Sequence, residues 1–298
     1  MVVQRKNAIK NGLDEKIFDV IVSFVIGIVA LLCILPMFNI IAVSLSSNYA
    51  ITSGKVAFVP IEINFEAYKA VFFNAAIVRS LGFTIVLTII YTALCMFMTI
   101  CAAYPLTKKR LKGRSFFMLL MLFTMYFGGG MIPDYLLTKS LGLLNTMWAL
   151  ILPGLVGTYN MIILKSFFNS LPPDLDEAAY VDGCSDIGIL FKIVLPLSTP
   201  VLATLSLFYA VSRWNGFQDA LIYITNPNVY PIQLKLYNLV MNSMVNDLTS
   251  AEGSSASQVV PESLKAASIM VATLPILCAY PWLQKYFVSG VMLGAVKA

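Results

Sequence analysis

The chain has 298 residues, of which 59% are apolar and 12% charged, and its formal net charge is +5. A mean hydropathy of +0.82 excludes an ordinary soluble globule, because much of any folded surface must face water. Histidine is absent, which removes the commonest metal ligand and the commonest general base near neutral pH.

The N-terminal segment is basic (Arg5, Lys6, Lys10, Lys16) and leads into an apolar run at 20–38. That run is too long for the core of a cleavable signal and lacks a small-residue cleavage site, so it reads as a retained transmembrane helix. Five further charge-free runs follow, at 80–107, 115–133, 140–164, 193–212 and 266–284. A helix needs roughly 20 apolar residues to cross a bilayer. A β-barrel would instead show alternating segments of about ten residues. The runs are continuous, so the expected fold is an all-α polytopic membrane protein with six transmembrane helices.

Lys and Arg placement sets the orientation. With the N-terminus in the cytoplasm, inside segments hold 13 of the 20 basic residues, including the short cluster Lys108, Lys109, Arg110, Lys112 and Arg114. Both termini are then cytoplasmic, and so is the connection between spans four and five. Two outer connections are long, 47–79 and 226–262. The second is expected to hold an interfacial or surface helix over 232–245 and a flexible Ser/Gly-rich linker at 250–257. Cys33, Cys95, Cys101, Cys184 and Cys278 are scattered without metal-ligand or disulfide-framework spacing.

The connection between spans four and five carries the most information. Pro172 and Pro173 end the fourth helix. Asp174 is expected to cap a short helix, with Glu177 three positions on in capping-box spacing. Leu175, Ala178 and Ala179 form its apolar face, and Gly183, after Asp182, suits a left-handed stop. Ser185 or Asp186 can cap a second short helix. Its Ile187, Leu190, Phe191 and Val194 fall at i, i+3, i+4 and i+7 on one face. Leu195 and Pro196 close it.

Glu177-Ala178-Ala179, then Gly183, then the Leu195-Pro196 exit inside a six-span frame, resembles the cytoplasmic EAA loop of ABC-importer permeases. Tyr126 to Pro133, Leu141 to Thr146 and the tail from Gln284 to Lys297 resemble the carbohydrate branch related to the maltose-type permease. The resemblance implies division into 1–70 (N-terminal segment, first span, outer loop), 71–290 (permease core, with the loop at 172–196) and 291–298 (cytoplasmic tail). It implies coupling helices that seat on an ATPase through Glu177, Ala178, Ala179, Asp182, Gly183, Ile187, Leu190, Phe191, Leu195 and Pro196. It also implies a heterodimer with a second permease subunit in the bacterial inner membrane, two ATPase subunits, an extracellular solute-binding protein and an oligosaccharide substrate. Nothing points to nucleic acid.

The chain contains no G-x-x-x-x-G-K-[ST] phosphate loop. No cofactor is expected on it; ATP and Mg belong to the partner ATPases, and the chain itself is not expected to be an enzyme. Tyr159, Asn160, Trp214, Asn215, Gln218 and Asp219 are candidates for the substrate path, since polar groups at membrane depth face protein or a water-filled path. Trp214 alternatively reads as an interface anchor, Asn160 and Asn215 as interhelical hydrogen-bonding groups, and Gly128 to Gly130 as a kink. A permease for a non-sugar solute remains an alternative. An ion-coupled transporter is the rival of a different class, but it calls for charged relays inside spans that are nearly charge-free.

Overall fold

A computed structural model of the chain describes residues 13–251 and 262–295, with side chains for 17–242, 262–278 and Pro281. Among these residues every regular element is a helix. They fall into two compact units.

The first unit holds α1 (Leu13–Ser44), α2 (Asn48–Thr52), α3 (Glu66–Phe73) as far as residue 70, and the last helix as far as residue 270. An 18-residue apolar window of α1 has no buried residue, as suits a helix whose surroundings are lipid. The connection after α1 is held by buried hydroxyls. Ser46 Oγ donates to Ala42 O at 2.6 Å and accepts from Ile61 N at 3.0 Å. Ser44 Oγ pairs with Tyr68 Oη at 2.8 Å.

The second unit is built around α4 (Ala75–Ala103), capped by Asn74, whose side chain accepts from Ala76 N and Ile77 N. Leu87, Tyr91, Cys95, Thr99 and Ala103 recur every four residues along α4 and are all buried, giving one stripe at helical spacing. α5 (Arg114–Tyr126), α6 (Met131–Ser140) and α7 (Thr158–Ser170) follow. After the loop helices α8 (Pro173–Val181), α9 (Asp186–Ile189) and α10 (Leu195–Leu197), α11 (Thr199–Asn215) returns along α4. α12 (Gln218–Tyr223), α13 (Ile232–Ala251) and the remainder of α14 (Glu262–Ala295) complete it.

Lipid is as apolar as a leucine core, so close fit and interhelical hydrogen bonds hold such helices together. Thr99 Oγ1 and Tyr209 Oη join α4 to α11 at 2.7 Å, and Tyr91 Oη donates to Gly154 O at 3.1 Å. A Cβ on Gly157 would lie 2.7 Å from Tyr209 Oη. Only hydrogen fits at that position.

Three expected spans are not straight. α5 and α6 are bent by 110° across 127–130, the 3-10 turns at 147–154 and α7 by 51°, and the 186–197 segment and α11 by 82°. The glycine run at 128–130 interrupts the first. Pro153, in the turn that precedes the break, and the extended N-cap Gly157 interrupt the second. Pro196 and Pro200 interrupt the third, where missing N–H donors and ring clashes break the hydrogen-bond ladder. Among the described residues, two helices are long and apolar enough to cross a membrane, or up to five if each bent pair counts as one. α14 is helical across the sixth expected span. The expected interfacial or surface helix over 232–245 is helical within α13, but its start packs inward: Ile232 and Leu234 are buried, and Ile232 N donates to Thr84 Oγ1 at 2.8 Å. Of the linker at 250–257, residues 252–257 lie outside the described residues.

Candidate functional site

Between α7 and α11 the chain makes a loop of two short helices. α7 ends at Ser170, and Leu171 is extended (ψ 143°), the conformation forced on a residue before proline. α8 starts at Pro173, with Pro172 at the N-cap. A proline in the first turn forfeits no hydrogen bond and brings a preset φ. Asp174 is therefore not the cap, and the expected capping box with Glu177 does not form. Asp174 and Asp176 instead sit in the first turn of α8, where the helix dipole favours negative charge.

The exit from α8 is a Schellman turn. Cys184 N donates to Ala179 O at 2.9 Å and Gly183 N to Tyr180 O at 3.0 Å, while Gly183 takes φ +77°. An L side chain is strained there. Ser185, rather than Asp186, caps α9: its Oγ accepts from Gly188 N at 3.2 Å.

The apolar faces differ from expectation. Ala179 is buried in the core while Ala178 is exposed, so the two alanines do not share an outward face. A π turn at Leu190–Val194 resets the register of the second helix, because each residue there spans a smaller angle than in an α-helix. Val194 turns into the core beside buried Ile189, and Leu190 is half-buried. What projects outward is Val181 (88% exposed), Ile187 (69%) and Phe191 (61%), with Glu177, Asp182 and Pro196 also exposed and Leu195 half-buried.

This loop is pinned to the basic connection between α4 and α5. Lys108 Nζ donates to Asp176 Oδ2 at 2.5 Å and lies 4.6 Å from the centre of the Tyr104 ring. Burial acts to lower the Lys108 pKa, but contacts with Asp176 and Tyr104 outweigh it, and the net shift is upward from 10.5. Arg110 and the Tyr180 hydroxyl both donate to the Asp186 carboxylate, and Tyr104 Oη donates to Asp186 O at 2.9 Å. A cavity of 390 Å³ opens beside the clamp, with Lys109, Leu175 and Glu177 in its wall.

The far end of α11 borders a second cavity, of 780 Å³, lined in part by Gly128, Asp134, Asn215, Gln218 and Asp219. A helix of this length places that end roughly 25 Å from the loop. Three of the six path candidates, Asn215, Gln218 and Asp219, meet here. Trp214 does not: it is buried, and its Nε1 donates to Ala272 O at 3.1 Å. Tyr159 is exposed, Asn160 is half-buried, and neither borders the cavity.

Sequence reasoning missed Arg213, a buried cation in the cavity wall. Its guanidinium meets Asp219 through Nη1–Oδ2 at 2.5 Å and Nη2–Oδ1 at 2.9 Å, a forked pair that offsets charge burial. Nη1 also donates to Leu150 O at 2.9 Å. A basic residue beside a tryptophan at the end of an apolar run was the available signal.

The sequence profile described as "binding-protein-dependent transport system inner membrane component" matches residues 111–292. Protein LplC of Bacillus subtilis (strain 168) is 44% identical over 284 residues, covering 95% of each chain. The polygalacturonan/rhamnogalacturonan transport system permease protein YtcP of the same organism is 42% identical, over 96% of this chain and all of that one. A chain from the crystal structure of a bacterial ABC transporter involved in the import of the acidic polysaccharide alginate superposes with a TM-score of 0.83 at 31% identity, over 93% of this chain and 99% of that one. With a family profile spanning most of its length and relatives this similar end to end, the chain belongs to the binding-protein-dependent transport system inner membrane components, the permeases of ABC importers.

Proposed function

We propose that this chain forms half of the translocation path of an oligosaccharide importer in the bacterial inner membrane, paired with a second permease subunit. Six spans place both termini and the loop at 172–196 in the cytoplasm. Two ATPase subunits, which bring the ATP and Mg, dock on that loop, and an extracellular solute-binding protein delivers the sugar. The observation that carries this reading is the loop itself: two short helices fixed at a left-handed glycine, clamped by Lys108 and Arg110, with Val181, Ile187 and Phe191 projecting outward. A stiff loop passes on a partner's motion; a slack one would absorb it.

In the cycle, ATP closes the ATPase pair and displaces the loop. α11 carries that displacement to the 780 Å³ cavity, which alternately opens to either side. Gln218, Asn215 and Asp134 offer hydrogen bonds to sugar hydroxyls. The cation in that wall, Arg213, is already paired with Asp219. Relatives named for polygalacturonan/rhamnogalacturonan and for arabinooligosaccharides support a carbohydrate cargo.

The test is ATP hydrolysis by the assembled importer with binding protein and a panel of neutral and uronate-containing oligosaccharides. Stimulation by one sugar class supports the proposal and names the cargo. Stimulation only by a non-sugar solute overturns the carbohydrate assignment, and uptake driven by an ion gradient without ATP overturns the importer reading.

A further inference from the structure

A third cavity, of 330 Å³, lies between the first turns of α5 and the second half of α7, walled by Arg114, Ser115, Met118, Leu119, Leu122 and Lys165. Its composition is divided. Two cations and a hydroxyl form one part, and methionine and leucine side chains form the other. No carboxylate lines it. Among the described residues the ion pairs engage Lys108, Arg110, Arg213 and Lys265, and neither Arg114 nor Lys165 joins one. Lys165 is half-buried, and the partner of its ammonium is Met118 Sδ at 3.8 Å, a weak acceptor.

Position adds to composition. α5 is a 13-residue helix whose N-cap, Gly113, makes no side-chain capping bond, so its first N–H groups point outward with the positive end of the dipole. The same end adjoins the clamp that fixes the docking loop, and Lys109 and Lys112 flank it. Leu119, further along the helix, is 67% exposed. Cations at the head of an apolar, lipid-facing helix match a molecule with an anionic head and a hydrocarbon tail.

We propose that this cavity binds the phosphodiester headgroup of an anionic phospholipid of the cytoplasmic leaflet, with Arg114, Lys165 and the Ser115 hydroxyl on the phosphate and an acyl chain along Met118, Leu119 and Leu122. Basic pockets between transmembrane helices on the cytoplasmic side are suited to such headgroups. Occupancy supplies the counter-charge that Lys165 lacks and ties α5 to α7 beside the docking loop. The inference rests on reading α5 as membrane-embedded and not on the identity of the transported solute.

The experiment is native mass spectrometry of the assembled importer released from nanodiscs of phosphatidylcholine with phosphatidylglycerol. The expected result is preferential retention of phosphatidylglycerol by the wild type. Lys165→Met and Arg114→Gln should each weaken retention about fivefold, while the charge-matched control Lys112→Gln leaves it unchanged. Equal retention of both lipids by the wild type overturns the proposal whether or not the variants fold. So does an equal loss in the control, which assigns the effect to general surface charge. Displacement by millimolar inorganic phosphate with no headgroup preference points to free anion instead and overturns the lipid assignment.

Discussion

Lys108 and Asp176, 68 positions apart, meet at 2.5 Å and join the connection after α4 to the first turn of α8. Lys108 is 14% exposed and Asp176 37%, so the pair is partly shielded from water. Asp186, held by Arg110 and Tyr180, makes a second anchor on the far side of Gly183.

Lys108→Met should leave the chain in the membrane but lower binding-protein-stimulated ATP hydrolysis severalfold. A double-mutant cycle with Asp176→Asn should give a coupling of about 1 kcal/mol, modest because the carboxylate is partly solvated. Additive effects of the two changes would show that the contact does not matter.

The clamp also has a pH signature. Lys108 has a folded pKa raised above 10.5, so its contribution is complete below about 10.5 and fades as pH rises through the higher folded value. The thermal-stability difference between wild type and Lys108→Met should be constant from pH 7 to 10 and shrink above that. A difference that shrinks toward pH 7 would contradict this assignment.

Gly183→Ala places a side chain at φ +77°, at a cost of about 1 kcal/mol, and should loosen the loop; Gly183→Asn should be milder. Glu177→Lys leaves the loop shape alone, since Glu177 is exposed, yet should uncouple hydrolysis from uptake. Wild-type uptake by Glu177→Lys would remove Glu177 from the docking surface.

Asp219→Asn strands the buried Arg213 charge and should cost about 3 kcal/mol, the lower part of the usual range because Asp219 is 35% exposed. The measurement is the melting temperature in detergent. The double variant Arg213→Leu/Asp219→Leu should recover much of the loss.

Gly157→Ala should destabilise the unit by driving a methyl into Tyr209 Oη, 2.7 Å away. Tyr209→Phe should relieve it in part, since ring carbons remain at 3.3 and 3.4 Å. A stability for Gly157→Ala equal to that of wild type would refute the close contact.

Local rules were readable in part, since the Asp174–Glu177 capping box does not form, and distant pairings were not readable. Pro172, Gly183 and Ser185 act through neighbours within a few residues, and their turn and cap follow from backbone preference alone. The inward turn of Ala179 depends on tertiary packing, and the π turn at Leu190–Val194 carries no local signature in the spacing of apolar residues. The glycines at 128–130 signalled a break but not its angle of 110°. Arg213 was hidden by its spacing, because a partner six residues on lies outside helical neighbour distances and is reached only past the break at Gly216.

The two anchors of the loop sit in a different stretch of chain from the loop, so the transplantable part is not 172–196 alone. A chimera that took a relative's loop without its 104–114 connection would present the right outward residues on an unmoored hairpin. Exchanging both stretches together keeps donor and acceptor matched. Altered ATPase choice should therefore follow the pair of segments, and in a lineage whose ATPase changes, substitutions at 108 and 110 should accompany those at 176 and 186.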